Sequence, residues 1–392
     1  MGGLRAIQLM ALAVLVALLP ACRKEKYRPS SENETITALG NLRVDGEEPG
    51  QVIGMYLLNG GGKGNNEATL DYLDFVTGVY HRNIYAEKNP SAPTSLGDNG
   101  TDLAVQDGKL YVVLNNSHKV EVLDARTTSH IASIPVNDCR RIAFKGESGY
   151  VSSYLKRGLR EGDVPLGEVV RFGVADNAIT GRVTVGCQPE DMLINGHTMY
   201  VANSGAYNEP KYDDRLSLID LEDFTQTGFV RVGPCPFRIV RDEFGYLWVS
   251  TRSIPHGPAG QIYRMETLGQ TGFYRLYDSL ALACFSVATS GNMLYAVHGQ
   301  WSPSGRPETF RIESVDMSSG RPSLHRIISD NSLEAIQHPT SITPHPTKDY
   351  IFITDAKNYT SSGRLYCYSG SGKLRWKVRT GIIPTKIAFV WK

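Results

Sequence analysis

QPEDMLINGHTMYVANSGAYNEPKYDDRLSLID, residues Gln188–Asp220, holds the unit from which this chain is built. A short alternating run, Asp191–Ile194, meets Asn195-Gly196, the strongest short-range hairpin signal. A second run, Met199–Ala202, opens into a long polar and aromatic loop, Asn203–Asp214. A third run, Leu216–Asp220, closes in a turn, and a fourth, Gly228–Val232, leads to Cys235-Pro236 and the next copy. The unit is a four-stranded meander. Its period of roughly 47 residues is that of propeller blades and other repeat arrays.

Aligned on the second strand, the copies are Met55-Tyr56-Leu57, Leu110-Tyr111-Val112, Gly149-Tyr150-Val151, Met199-Tyr200-Val201, Leu247-Trp248-Val249, Leu294-Tyr295-Ala296 and Tyr350-Ile351-Phe352, seven in all. Seven third strands follow them, from Ala68–Leu73 to Gly363–Tyr368, alternating apolar with polar as half-buried strands do. The first strands share a register in which Pro, Gly or Cys stands three residues before an apolar residue, from Gly100/Leu103 through Pro189/Met192 to Pro384/Ile387. Thr385–Val390 has no second strand after it, and Gln51–Leu58 has no first strand before it. The C-terminal strand is therefore expected to complete the N-terminal blade, which removes an exposed sheet edge. The expected fold is all-β, one seven-bladed β-propeller of four-stranded blades over residues 45–392. A pair of β-sandwiches is the competing arrangement, and it leaves the complementary end pieces unexplained.

In such blades the loops sort by face. The first-to-second and third-to-fourth turns are short connectors. The second-to-third loops lie opposite and are mostly long, and long loops on a rigid scaffold carry function. They hold Tyr154, Tyr207, Tyr212, His256, His298, Trp301 and Tyr359, with Arg252 and other basic residues among them. Tyr, Trp and Arg anchor interfaces. The first strands open onto the same face, so Asp102, Arg140, Arg141, Glu190, Asp191, Arg238, Ser286, Ser341 and Lys386 are expected around the channel rim. Mixed charge there suits a large polar ligand. The bland reading is that these charges pair among themselves, and that each tyrosine packs on a neighbouring loop.

The chain has 392 residues and a net charge of +1, so nothing points to nucleic acid as partner. Residues 1–21 read as a signal peptide: Arg5 precedes an apolar run from Ala6 to Leu19, too short to span a bilayer. Leu19-Pro20-Ala21-Cys22 resembles a bacterial lipobox, which implies cleavage before Cys22 and lipidation of its thiol; a plain signal peptide is the alternative. Acyl chains then anchor the protein, with 22–44 as a flexible tether. Cys139, Cys187, Cys235, Cys284 and Cys367 remain, an odd number. The first four stand where successive first strands begin, either as a disulfide across the rim or as small buried core thiols.

No nucleophile elbow, HExxH motif, phosphate loop or calcium loop is present. Asn59–Gly64 is Gly-rich but lies between strands, with no helix N-terminus to hold a phosphate. The chain is therefore expected not to be an enzyme and to carry no metal or cofactor. Gln188–Asp220, Gly245–Arg252 and the lipobox together resemble the YncE-like propeller lipoproteins, among them the BtuG-like surface lipoproteins. That resemblance implies an outer-membrane lipoprotein that captures cobalamin on the loop face and hands it to a TonB-dependent transporter. The expected ligand-binding residues are Tyr154, Asn203, Tyr207, Tyr212, Arg252, His256, His298, Trp301 and Tyr359 on the loops, with Arg141 and Arg238 on the rim. A scaffold for an envelope protein or glycan is the alternative function, and a propeller hydrolase or lyase is the third.

Overall fold

A meander with apolar side chains on both faces cannot bury either face alone, so it must be stacked between two others. The computed structural model describes residues 33–92, 95–154, 165–206, 208–254, 257–268, 273–300, 309–318 and 323–392. It shows that stacking in seven antiparallel sheets. Blade 1 combines Pro384–Trp391 with Val52–Asn59, Thr69–Asp74 and Val79–His81. Blade 2 runs from Gly100–Gln106 to His130–Pro135, blade 3 from Cys139–Lys145 to Ile179–Cys187, and blade 4 from Pro189–Asn195 to Thr225–Arg231. Blade 5 runs from Pro236–Arg241 to Phe273–Leu280, blade 6 from Cys284–Ser290 to Leu324–Arg326, and blade 7 from Pro339–Pro344 to Leu374–Ile382. The first strands touch in order around the axis, and the ring closes between blades 7 and 1. Every first strand begins at the Pro, Gly or Cys that marks it in the sequence.

The core is seven clusters, one between each pair of neighbouring blades. The second strand explains why. Successive side chains on a strand point to opposite faces. Tyr56, Tyr111, Tyr150, Tyr200, Trp248 and Tyr295 point toward the following blade. Their neighbours, such as Met199 and Val201, point toward the preceding one. Trp248 is buried, and its Nε1–H donates to Asp242 at 2.8 Å. Tyr56 reaches across the interface and donates to the Ala125 carbonyl at 3.0 Å.

Two sequence expectations are corrected. In blade 7 the residue facing the next blade is Phe352, within the cluster shared with blade 1, while Ile351 and Ile353 face blade 6. The pairing of Ile342 with Ile353 sets this register. The correct triplet is Ile351-Phe352-Ile353, one residue beyond Tyr350-Ile351-Phe352; a slip of one exchanges the two faces. The segment 22–44 is also not a tether throughout. Asn33–Thr35 add a fifth strand to blade 1 through Val79–His81. Ile36, Leu39 and Leu42 are buried against Phe75, Tyr80 and Trp376. The propeller body therefore extends back to residue 33, and the part of the tether before it lies outside the described residues.

The register in blade 7 has a direct stability test. Phe352→Ala is expected to cost about 3–5 kcal/mol, as for other buried aromatics, and Tyr350→Ala clearly less. Denaturant unfolding of the two variants checks this; equal losses would contradict the register.

Candidate functional site

Two backbone devices decide what reaches the channel mouth. The first is a clamp found in every blade. The N–H just beyond the second strand donates to the carbonyl just before the first strand. The donors are Gly60, Asn115, Tyr154, Ser204, Arg252, Gly299 and Ala356, at 2.7–3.2 Å. Five of the seven acceptor residues, Asn99, Asp138, Gln188, Cys235 and Ile383, have left-handed backbone, with φ of 44–55°. Such a conformation is uncommon outside glycine, and for a β-branched residue such as Ile383 it is an outlier held by its surroundings. It turns the chain from the outside of one blade to the inside of the next.

The second device is a register shift at the start of every first strand. Such bulges re-aim side chains. They re-aim the next two residues of each strand toward the mouth, except that Phe285, the first of the pair in blade 6, packs in the core between blades 6 and 7. The second of these forms a ring: Asp102, Arg141, Asp191, Arg238, Ser286, Ser341 and Lys386. Acceptors in the ring tie one blade to the next. Asp102 accepts the Ile142 N–H at 3.0 Å, Asp191 the Ile239 N–H at 3.1 Å, and Ser286 the Ile342 N–H at 3.2 Å. The Arg141 guanidinium donates to the Thr101 carbonyl. Lys386 Nζ stands 3.6 Å from Asp102 Oδ1. Burial works against the charge on Asp102, but Lys386, Arg141, the Ile142 N–H and Arg238 outweigh it and hold its carboxyl below the usual range.

Glu190, the residue before Asp191, is fully buried. Arg140 of blade 3 donates to both its oxygens, at 3.0 and 3.1 Å. Tyr154 donates to it at 2.5 Å, and Arg252 of blade 5 stands 3.6 Å away. Arg140 also lies over the Tyr154 ring at 5.0 Å, and Arg252 over Phe237 at 3.8 Å. Burial alone would raise the Glu190 carboxyl; Arg140, Arg252, Arg141 and the Tyr154 hydroxyl overcome it and hold it at about 2. Arg238, half-buried, moves the other way, down to about 10, because desolvation and neighbouring Arg141 work against its charge, against the pull of Asp191, Asp102 and Glu190. Arg140, Arg141, Arg238, Arg252 and Lys386 make five cations against the three carboxylates Asp102, Glu190 and Asp191, so the mouth carries two excess positive charges.

Of the expected ligand residues, the structure gathers Tyr154, Arg252, Arg141 and Arg238 at this mouth. The others lie apart. Asn203 is interior, donating to the Arg215 carbonyl and to Ser217 at 3.1 and 3.0 Å. His298 is buried with Nε2 2.7 Å from Glu313. Tyr359 packs on His338, ring centres 5.0 Å apart. Tyr212 lines an open pocket of about 250 Å³ with Cys187, Lys211, Asp213, Asp214, Arg215 and Arg231. Within that pocket Arg215 pairs with Asp213 at 2.8 Å and Arg231 with Asp214 at 2.5 Å. Tyr207, His256, Trp301 and Cys22 lie outside the described residues. Cys139, Cys187, Cys235, Cys284 and Cys367 are free and buried. Burial pushes the Cys139 thiol up to about 12 and Cys187 and Cys235 up to about 11.

Arg140 and Glu190 belong to the site although neither stood among the chosen ligand residues. A signal for them existed. At the clamp donor position five blades carry Gly, Ala, Ser or Asn, and only blades 3 and 5 carry a large side chain, Tyr154 and Arg252. These two flank Glu190 of blade 4.

No protein-family model matches the chain, and no curated protein matches it in sequence. Solved structures do share its fold. A periplasmic gluconolactonase of Pseudomonas aeruginosa superposes with a TM-score of 0.58 at 13% identity, over 86% of this chain and 99% of that one. A quinonprotein alcohol dehydrogenase-like protein of Bacteroides thetaiotaomicron gives 0.57 at 12% identity, over 88% and 79%. Kuenenia stuttgartiensis hydrazine synthase gives 0.54 at 15% identity, over 69% and 76%. These identities carry the fold and not the function. They do overturn the expectation that the chain is not an enzyme. That expectation rested on missing motifs, and the shared fold is also that of a gluconolactonase.

The Glu190 cluster predicts a pH dependence. Its carboxyl sits at about 2 when folded, against 4.5 for an unperturbed glutamate. The stability it contributes is present above pH 4.5 and lost as pH falls toward 2, on the order of 3 kcal/mol in all. Glu190→Gln is expected to flatten the stability profile in that window by about one proton. Unfolding free energies at several pH values check this; an unchanged slope would show that Glu190 does not titrate there.

Proposed function

We propose that the protein binds a bulky polar ligand on the loop face of the propeller, over the channel mouth. The observation that carries this reading is the convergence of Arg140, Tyr154 and Arg252, from blades 3 and 5, on buried Glu190 of blade 4. A buried ion lattice is a weak device for stability, because desolvation offsets the attraction. Polar groups held rigid at a concave opening are what a binding site needs.

A corrinoid is the specific candidate, and the resemblance to YncE-like and BtuG-like lipoproteins supports it. A corrin is broad and apolar at its centre, with a fringe of amides and a phosphodiester. Aromatic loops and a cationic mouth complement those features. In this proposal a lipid on Cys22 holds the protein on the outer membrane. The ligand then passes to a TonB-dependent transporter.

Calorimetric titration of the folded protein with cyanocobalamin tests the ligand. One-to-one binding is expected, weakened at least tenfold by Arg252→Ala, on the scale of a lost charged contact. Absence of heat from folded protein would remove the corrinoid. The anchor is tested separately: labelled palmitate should enter the wild-type chain in cells and not Cys22→Ser. Equal labelling of both would place any lipid elsewhere.

A further inference from the structure

We infer that the throat of the channel is an anion subsite that takes a phosphate group between Arg141, Arg238 and Lys386. The inference deepens the reading of the loop-face mouth as a binding site and rests on it. The three cations occupy the same register position in blades 3, 5 and 1. They approach the axis from three sides. Electrostatic contact spans the ring: Asp102 of blade 2 feels Lys386, Arg141 and Arg238 together. Three convergent cations suit a tetrahedral anion better than a planar carboxylate, and guanidinium forks match phosphate oxygens.

The carboxylates that face this space are Asp102, Asp191 and Glu190. One oxygen each of Asp102 and Asp191 is held by the next blade's backbone N–H, and Glu190 is taken by Arg140, Tyr154 and Arg252. The contact of Lys386 with Asp102, at 3.6 Å, is longer than a hydrogen bond. Arg141 is 7% exposed, and its Nε has no hydrogen-bond partner among the described residues. Arg141 and Arg238 repel one another across the throat, and an anion between them turns that repulsion into two attractions. In the throat itself three cations face two carboxylates, Asp102 and Asp191, which leaves one positive charge in excess, the sign a phosphate needs.

The test is titration of the full chain with inorganic phosphate and with phenyl phosphate, against chloride at constant ionic strength, by calorimetry and thermal unfolding. Saturable binding of either phosphate and a raised unfolding temperature are expected. Tighter binding of the ester marks the group as part of a larger ligand; tighter binding of inorganic phosphate marks a free ion. Arg238→Met and Lys386→Met should each weaken binding at least tenfold. The Lys386 side chain is 43% exposed, so its replacement is expected to leave the fold intact. Phosphate binding no tighter than chloride, or equal binding by both folded variants, would overturn the inference. Failure here with cyanocobalamin still bound would leave the ligand-binding face standing. Phosphate binding without cyanocobalamin binding would leave the subsite standing and remove only the corrinoid.

Discussion

Everything in this molecule depends on the pairing of Val52–Asn59 with Pro384–Trp391. Each blade buries its apolar faces only because it has a neighbour on both sides. Without that pairing, blade 1 would lack its innermost strand and the ring would have a gap at blades 7 and 1. Closure joins residues more than three hundred positions apart, a large loop-entropy cost. Seven interface clusters offset that cost together. The added strand at Asn33–Thr35 covers the outer edge of blade 1.

Closure at an odd number of blades has an electrostatic consequence. Around the mouth the ring begins Asp102, Arg141, Asp191, Arg238, an alternation in which each charge has opposite neighbours. Seven positions cannot alternate all the way round. The pattern breaks at Ser286 and Ser341, two hydroxyl residues, and resumes at Lys386, which returns to Asp102. The break leaves the ring with more cations than acids. The odd count only forbids full alternation; Ser286, Ser341 and Lys386 at the break set the sign of the charge at the opening.

The mouth is also where the backbone departs from ideal strands. The left-handed residue before five of the first strands and the bulge at the start of all seven are local irregularities repeated round the ring. In blade 4 they place two consecutive charged side chains, Glu190 and Asp191, at the opening. Buried charges gathered this way are held by geometry and gain little from association alone. This is why the site reads as prepared for a partner of opposite character.

The blade count, the position at which each first strand begins and the closure by the C-terminal strand were legible in the chain, because period-2 alternation and turn chemistry are local properties. The side of the ring that bears long loops was legible for the same reason. Blade 7 shows the limit: Tyr350, Ile351, Phe352 and Ile353 are all apolar enough to face a core, and only pairing with Ile342 chose between them. Residues 33–44 fall within the expected flexible tether because they lack the blade repeat, and only the groove beside Phe75 and Trp376 makes Leu39 and Leu42 core residues. The charges Arg140, Glu190 and Arg252 could be placed on the rim from their positions in the repeat. That they meet was decided in three dimensions, because contacts between blades join residues dozens of positions apart, and no local pattern encodes such distances.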